Sequence, residues 1–391
     1  MRVLVVGLAA TGSAVVDYTR AAGHHVTVLE DHPDAAGYRE RATVAMAAGA
    51  ELVETPSATD AAALARAADL VVPSPGVRPD HPALVAADAA GVPVRSEIDL
   101  GAARLRARSD APKLVAVTGT NGKTTVTTLI DAMLRRAGIV STAAGNIGRP
   151  LIDAAGDAVA VVVAEVSSFQ LAHVTDTFAP DVAVLLNVAE DHLDWHGSAE
   201  AYVRTKAQLF AHQAAGATLV VNADDPSAAT LAAAAPGQVV WFSSGPPPAG
   251  GYGVVGSFLC GPHGSVAALP GSAAPHDLTN ALAAAAAAEA LGADPTAIAA
   301  VLTEFAGLAH RVQLIDEIDG VRFYDDSKAT NPHATASALG GFEHVVLIAG
   351  GRNKGLELDA LRVHTARLRA VVAIGEAAGE IEATFAGLVP V

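Results

Sequence analysis

The stretch that most constrains the fold is residues 113–130, which read KLVAVTGTNGKTTVTTLI. The apolar run at 114–117 is typical of a buried strand, and Lys123-Thr124-Thr125 begins a run typical of a helix. Strand, glycine turn and helix in this order are typical of a phosphate-binding P-loop. Backbone N–H groups can close on a phosphate, the lysine supplies a charge, and the Thr124 hydroxyl can ligate Mg2+. The predicted phosphate site consists of Gly119, Thr120, Asn121, Gly122, Lys123, Thr124 and Thr125.

One position departs from the general P-loop pattern. The pattern places glycine six residues before the lysine, and this chain has Val117 there. The alternative is therefore an ordinary strand, turn and helix with an unrelated lysine. The combination of glycines, lysine and paired threonines favours a triphosphate site over that alternative.

Two further apolar runs, at residues 159–163 and 182–186, are typical of parallel strands covered on both faces. The first is followed by Glu165 and the second by Asp191-His192. Because ligands bind at the carboxyl ends of strands in α/β sheets, these side chains are expected near Lys123 and Thr124. One acidic residue at a strand end could be a helix cap or a solvated loop residue. The set together predicts a metal-bound triphosphate.

Residues 1–103 have the pattern of an α/β unit, with strands at 3–6 and 26–29 and a helix at 13–22. The turn Gly7-Leu-Ala-Ala-Thr-Gly12 imitates a dinucleotide fingerprint but has Ala9 where that pattern needs glycine. Three interpretations stay open: NAD binding, a nucleotide diphosphate whose sugar or base meets Glu30 or Asp31, and a structural turn. The stiff loop at Ser74-Pro-Gly76 can also approach a ligand closely.

Composition narrows the class of protein. Hydrophobic residues make up 51% and charged residues 17% of the 391 residues, which excludes a mainly disordered chain. A formal charge of −16 argues against binding to nucleic acid or to anionic membranes. The single cysteine, Cys260, allows no internal disulfide, and Met1 runs directly into a strand without a secretory signal. We expect a cytoplasmic protein with no membrane insertion.

The remaining chain divides at a short basic stretch, residues 104–113, which is predicted to be a linker. Residues 243–275 are rich in glycine and proline and predict loops or short hairpins, before an alanine-rich helix that ends at Leu291. A third unit has predicted strands at 321–324, 345–349 and 370–374, with Pro332 opening a helix. The turn at 350–355 is either an anion site with Arg352 and Lys354 or an ordinary strand-end turn.

Nine segments together resemble the Mur ligase family, most closely its D-glutamate-adding members. They are residues 7–12 (GLAATG), 74–76 (SPG), 118–125 (TGTNGKTT), 145–148 (GNIG), 165–170 (EVSSFQ), 187–192 (NVAEDH), 222–225 (NADD), 310–311 (HR) and 326–331 (DSKATN). The resemblance implies an α/β fold of three domains. They are an N-terminal Rossmann-like domain that binds a UDP-sugar (1–103), a central P-loop domain that binds ATP (112–308) and a truncated C-terminal Rossmann-like domain that binds an amino acid (309–391).

The resemblance also implies an activity: ATP-dependent joining of D-glutamate to UDP-N-acetylmuramoyl-L-alanine through an acyl phosphate, in peptidoglycan synthesis, by a monomer. It implies catalytic roles for Lys123, Glu165, His192, Lys206 and Lys328, and Mg2+ ligation by Thr124, Glu165, His192 and a carbamylated Lys206. ATP would further contact Asn280, Arg311 and Asp326. The substrates would contact Ala10, Thr11, Glu30, Ser74, Asn146, Thr330 and Lys354.

Three departures from the family pattern bear on this expectation. Asp277 stands where asparagine is common, and Arg352 replaces a more usual small or acidic residue. The chain also stops at Val391, before the segment that carries Ser- and Phe-containing D-glutamate contacts in the family, so an incomplete amino-acid site is expected. The alternatives are a related ligase that adds a different amino acid and a non-catalytic protein that binds a nucleotide or UDP-sugar.

Overall fold

The computed structural model describes residues 1–268, 275–353 and 355–391. The N-terminal part alternates strands and helices as β1 (Arg2–Val6), α1 (Ala10–Ala21), β2 (His25–Glu30), α2 (Tyr38–Ala47), β3 (Glu51–Glu54), α3 (Ala58–Ala67), β4 (Leu70–Pro73), α4 (Pro82–Ala90) and α5 (Glu97–Arg106). Its four strands form a parallel sheet in the order β3-β2-β1-β4.

The central part contains β5 (Lys113–Thr118), α6 (Lys123–Arg136), β6 (Ser141–Gly145), α7 (Leu151–Ala154), β7 (Val161–Glu165), α8 (Ser168–Leu171), β8 (Val182–Leu185), α9 (Leu193–His196), α10 (Ala199–Ala207), β9 (Thr218–Asn222), α11 (Pro226–Ala232), β10 (Gln238–Phe242), β11 (Gly253–Val255), β12 (Phe258–Gly261), β13 (Gly264–Ala268), α12 (Pro275–Ala290) and α13 (Pro295–Glu304). Six strands form a parallel sheet in the order β10-β9-β8-β5-β7-β6, and β11-β12-β13 form a small antiparallel sheet.

The C-terminal region, residues 309–391, contains β14 (Gln313–Ile318), β15 (Val321–Asp325), α14 (Pro332–Leu339), β16 (Val345–Gly350), a 3-10 helix (Asp359–Arg367), β17 (Leu368–Ile374) and α15 (Ala378–Phe385). β14 and β15 form an antiparallel hairpin, whereas β16 and β17 pair in parallel. One face of the β16–β17 pair is exposed, because Ile348 and Ile374 remain 67% and 50% accessible to solvent.

The central sheet is covered on both faces, which explains its nearly continuous apolar strands. On β5, Val115 and Val117 pack in the cluster that includes α6 and α12, and Leu114 and Ala116 pack in the cluster on the other face. Alternate side chains of one strand therefore pack into two hydrophobic cores.

The predicted α/β fold class, with parallel sheets, is confirmed. The domain ranges 1–103, 112–308 and 309–391 stay a proposal. None of the described helices is both long enough and apolar enough to cross a membrane.

Two local predictions were wrong. The predicted linker at 104–113 begins inside α5, because Arg104 donates a hydrogen bond to the Ile152 carbonyl at 2.7 Å and Leu105 is 2% exposed. The first helix begins at Ala10 rather than Ser13 and so includes Gly12, whose low helix propensity is overridden by close packing under the β1–α1 turn.

Candidate active site

The P-loop turn connects β5 to α6 at the centre of the parallel sheet. β5 lies between β7 and β8, so the strand order reverses there, and α/β sheets bind ligands at such switch points. Gly122 has φ of +86°, and a Cβ at this residue would lie 2.4 Å from Asn280 Oδ1. Only glycine fits this position, and the close approach places Asn280 against the turn.

Lys123 folds back over the turn. Its Nζ donates hydrogen bonds to the carbonyls of Gly119 at 2.9 Å and Thr120 at 3.0 Å. Enclosure of the ammonium lowers its pKa, whereas Glu165 and Asp191 act in the opposite direction. A phosphate at the turn could take over the hydrogen bonds that the two carbonyls now accept, so the resting position of Lys123 fits a phosphate-binding role.

Glu165, at the end of β7, receives hydrogen bonds from two sides. The Thr124 hydroxyl donates to Oε2 at 2.7 Å, and Asn146 Nδ2 donates to Oε1 at 2.8 Å. The carboxylate is buried, with the residue 3% exposed. One carboxylate thus joins the phosphate end of the P-loop to the residue that the family resemblance assigns to the acyl substrate.

Gly145 makes this approach possible. Its φ is +97°, and a Cβ there would lie 2.2 Å from the Glu165 carbonyl oxygen. The backbone N–H of Asn146 donates to the same carbonyl at 2.8 Å. The glycine therefore lets β6 and its loop run directly against the end of β7.

Arg311 brings the C-terminal region to the P-loop, since its Nη2 donates to Thr124 Oγ1 at 3.1 Å. The residues on both sides of Arg311 have left-handed backbone, with φ of +63° at His310 and +46° at Val312. This conformation is costly for a β-branched residue. Asp326 Oδ1 accepts the Val312 N–H at 3.1 Å and stabilises it.

A second group follows β8. His192 has φ of +53°, its Nε2 lies 3.6 Å from Asp191 Oδ2, and its ring lies 4.7 Å from the Phe169 ring. Lys206 is 1% exposed, with Nζ 4.7 Å from the Tyr202 ring centroid. Burial, helped by the charge of Lys123, lowers the pKa of Lys206 well below its usual value, although Asp191 opposes this. An uncharged amine in this position is a competent nucleophile toward CO2.

The donor set at Thr124 and Glu165 fits Mg2+. A hydroxyl and a carboxylate oxygen are the ligands that Mg2+ prefers, and this ion usually retains several waters and needs few protein ligands. Within the part of the chain that the structure describes, no three His, Cys, Asp or Glu side chains cluster in a metal-binding arrangement. An ion at this site would therefore depend on phosphate and water oxygens for the rest of its shell.

The other predicted residues of the C-terminal region are less enclosed. Lys328 and Thr330 are exposed, in the loop between β15 and α14, and the Lys328 N–H donates to the His310 carbonyl at 3.2 Å. Lys354 lies outside the described residues. The structure thus joins Thr124, Glu165, Asn146 and Arg311 by hydrogen bonds, with Lys123 next to Thr124 in the chain. Lys328 and Thr330 are not part of this group.

In the N-terminal sheet, the predicted residues meet at the turn after β1. Ser74 Oγ donates to the Gly7 carbonyl at 2.9 Å, and Glu30 Oε2 accepts the Leu8 N–H at 2.7 Å. Ala10 and Thr11 form the first turn of α1. The Trp195 indole N–H donates to the Val77 carbonyl at 3.0 Å and so connects this edge to the His192 segment.

Sequence reasoning assigned no role to three polar residues around the P-loop: Asn187, Asn331 and His333. The first two lie in segments that resemble the family. Asn187 Oδ1 accepts the Asn121 N–H at 2.8 Å, and the other two contact the Asn121 side chain. Asn331 precedes Pro332 at the start of a helix, which is a recognisable N-cap signal. Nothing local in the sequence indicates that this cap also reaches the P-loop.

Comparison with known proteins gives matches over most of the chain. Residues 117–288 match a family model described as the Mur ligase middle domain, and residues 1–96 match the Mur ligase MurD-like N-terminal domain. The chain is 46% identical to a UDP-N-acetylmuramoylalanine–D-glutamate ligase of Frankia casuarinae, over 99% of this chain and 82% of that protein. It is 42% identical to the enzyme of the same name from Thermobifida fusca, over 96% of this chain and 82% of that protein.

A solved structure supports the fold at lower identity. The UDP-N-acetylmuramate-alanine ligase MurC of Thermotoga maritima aligns with a TM-score of 0.60 at 20% identity, covering 100% of this chain and 89% of that chain. At this identity the likeness concerns the fold alone.

Proposed function

Because the chain belongs to the Mur ligase family, we propose that it is an ATP-dependent ligase that joins D-glutamate to UDP-N-acetylmuramoyl-L-alanine in peptidoglycan synthesis. The observation that carries the proposal is the hydrogen-bonded chain Thr124–Glu165–Asn146. It joins a P-loop hydroxyl to a residue on the neighbouring loop through one buried carboxylate. A nucleotide phosphate bound next to Thr124 and an acyl group bound next to Asn146 would meet in one cleft.

The reaction has two steps. A carboxylate oxygen of the L-alanyl group attacks the γ-phosphorus of ATP, ADP leaves, and an acyl phosphate forms. The amine of D-glutamate then attacks the acyl carbon, phosphate leaves, and the new amide nitrogen loses a proton. In the first step two negatively charged groups must approach each other, so positive charge at the cleft is the main requirement.

The residues of the chain meet this requirement from two sides. Lys123 holds a positive charge over the turn and would exchange its carbonyl partners for phosphate oxygens. Arg311, already bonded to Thr124, adds a guanidinium from the C-terminal region. Lys328 would add a further charge once its loop approaches the cleft, and Asn146 would orient the acyl group.

Mg2+, held by Thr124 and Glu165, would offset phosphate charge. His192 and carbamylated Lys206 are the proposed ligands of a second ion.

The substrate contacts follow from the family resemblance. Glu30, Ser74, Ala10 and Thr11 would hold the UDP portion at the turn after β1, while Asn280 and Asp326 would contact ATP. Thr330 and Lys354 would meet the D-glutamate carboxylates. The cytoplasmic location, the monomeric state and the absence of nucleic-acid partners stay predictions.

The test is phosphate release with ATP, Mg2+, UDP-N-acetylmuramoyl-L-alanine and one amino acid at a time, with the product identified by mass spectrometry. We expect release that requires D-glutamate. Lys123→Ala should abolish turnover but leave binding of the UDP substrate nearly unchanged. Lys113→Ala is the matched control, because that lysine begins β5, the strand that leads into the P-loop turn, and its side chain is 62% exposed. Release without any amino acid, or preference for another one, would contradict the proposal.

A further inference from the structure

The Asn121 side chain, at the tip of the P-loop turn, is held by the C-terminal region. Asn187 fixes its backbone from within the central part, accepting the N–H at 2.8 Å and donating to the carbonyl at 3.1 Å. The Asn121 side chain instead contacts Asn331 and His333, which begin α14. We call these three residues, Asn121, Asn331 and His333, the P-loop clasp.

The hydrogen bonds of Asn331 fix the orientation of its amide. Its Oδ1 accepts the Ala334 N–H at 2.8 Å as the N-cap of α14, and its Nδ2 donates to Asp191 Oδ2 at 3.2 Å. A flipped amide would place a donor against an N–H and an oxygen against a carboxylate. Asn331 is 6% exposed, so water is poorly placed to compensate for either mismatch.

This orientation determines the rest of the clasp. Asn331 Nδ2 also donates to Asn121 Oδ1 at 3.2 Å, which directs Asn121 Nδ2 toward Asn331 Oδ1 at 3.4 Å and His333 Nδ1 at 2.9 Å. Because Asn121 Nδ2 is a donor, His333 Nδ1 accepts. The contact therefore requires an acceptor at the δ position of residue 333.

We propose that Asn331 and His333 are positioning residues that couple occupancy of the P-loop turn to the placement of the loop carrying Lys328 and Thr330. The proposal rests on the proposed binding of ATP at this turn. Residues 326–331 end directly at Asn331, so a clasp that holds Asn331 against the turn also limits the distance of Lys328 from it. Any ligand that fixes the turn strengthens the clasp, and by linkage the clasp strengthens binding of that ligand.

The substitutions must separate the clasp from the helix cap. Asn331→Ser retains an oxygen that can cap α14 but is too short to reach Asn121. His333→Ala removes the acceptor, whereas His333→Asn restores an acceptor at the δ position. His364→Ala, in the 3-10 helix of the same region, is the matched histidine control.

The experiment measures binding of AMP-PNP with Mg2+ by calorimetry, and amide hydrogen exchange in α14 with and without that nucleotide. In the wild type we expect the nucleotide to increase protection of α14. Asn331→Ser and His333→Ala should bind it roughly tenfold more weakly, as expected for the loss of one or two neutral hydrogen bonds, and should lose the added protection. His333→Asn should recover both, and His364→Ala should match the wild type.

Wild-type affinity together with wild-type protection of α14 in Asn331→Ser and His333→Ala would overturn the proposal. A failure of His333→Asn to recover either quantity would also count against it, since a merely structural defect would not depend on the δ acceptor. Neither readout needs turnover or D-glutamate. If the ligase assay failed while the coupling was present, the proposed reaction would be wrong and the proposed role of the clasp would be supported.

Discussion

Lys206 combines full burial with a neighbouring positive charge, which is an unusual setting for a lysine. Both conditions favour the uncharged amine, and Asp191 alone acts against them. Because only an unprotonated amine adds to CO2, the structure gives a physical reason for the carbamylation that the family resemblance implies. The carbamate would turn a neutral side chain into an oxygen-bearing anion.

We predict a carbamate carbon signal in the NMR spectrum of protein equilibrated with 13C-bicarbonate. The signal should weaken as the pH falls through the lowered pKa of Lys206, because protonation removes the nucleophile. Lys206→Arg should lack the signal and lose about 10- to 100-fold in turnover, the range seen when groups supporting a metal site are removed. Lys113→Arg, at an exposed site, should retain both; an unchanged signal in Lys206→Arg would place the carbamate elsewhere.

At the level of single residues, sequence predicted the side chains at strand ends and missed those that arrive from distant segments. Lys123, Thr124 and Glu165 could be named because each follows an apolar run whose end has a defined place in a parallel sheet. Asn331 lies in the family-like segment 326–331 and can be recognised as a helix cap, but neither signal predicts its partner. Its contact with Asn121, 210 positions earlier, depends on how the C-terminal region packs on the central sheet, which no local pattern encodes.

At the level of elements, the loop after β6 shows how two glycines of one motif differ. Gly145 lies against the Glu165 carbonyl, whereas a Cβ on Gly148, with φ of +64°, would meet no atom of the described residues within 4 Å. Both residues have left-handed backbone. Only the first also has a steric reason to be glycine.

We therefore expect Gly145→Ala to lower the free energy of unfolding by roughly 3 kcal/mol or more, because the clash adds to a backbone cost of about 1–2 kcal/mol. Gly148→Ala should lower the free energy of unfolding only by the backbone cost. Urea unfolding followed by circular dichroism measures both. Equal losses would show that β6 can move away from β7 without penalty.

Several elements escaped the sequence analysis for a shared reason. β6, β10 and β14 have short or polar-interrupted patterns, and β14 is exposed along most of its length. Periodicity identifies strands that are buried on both faces, such as β5, β7 and β8. It is weaker for edge strands and hairpins, whose stability comes from pairing with a neighbour.

At the level of the whole molecule, Glu97 occupies the junction between the first two sheets. It is 1% exposed, and its Oε1 accepts the Ile152 N–H at 2.6 Å, while Oε2 has no hydrogen-bond partner among the described residues. Burial raises the pKa of this carboxyl from 4.5 to about 7, partly offset by that N–H. The folded state therefore holds this proton at pH values where the unfolded chain has lost it.

The consequence is a pH-dependent stability. A raised carboxyl pKa stabilises the fold below about pH 4.5, and that contribution is lost as the pH rises toward 7. Glu97→Gln has no proton to lose, so its stability relative to the wild type should improve by about 2 kcal/mol between pH 5 and pH 8. Urea unfolding at the two pH values measures this, and a constant difference would show that Glu97 keeps its ordinary pKa.

Trp195 has a consequence for experiments on the whole molecule. Its indole bonds to Val77 across the boundary between the N-terminal and central sheets, and the chain has only two tryptophans. Replacing Trp241 with phenylalanine would leave Trp195, at the boundary between the two sheets, as the single tryptophan. A red shift of its emission would then signal that the two halves had parted and admitted solvent, without any attached dye.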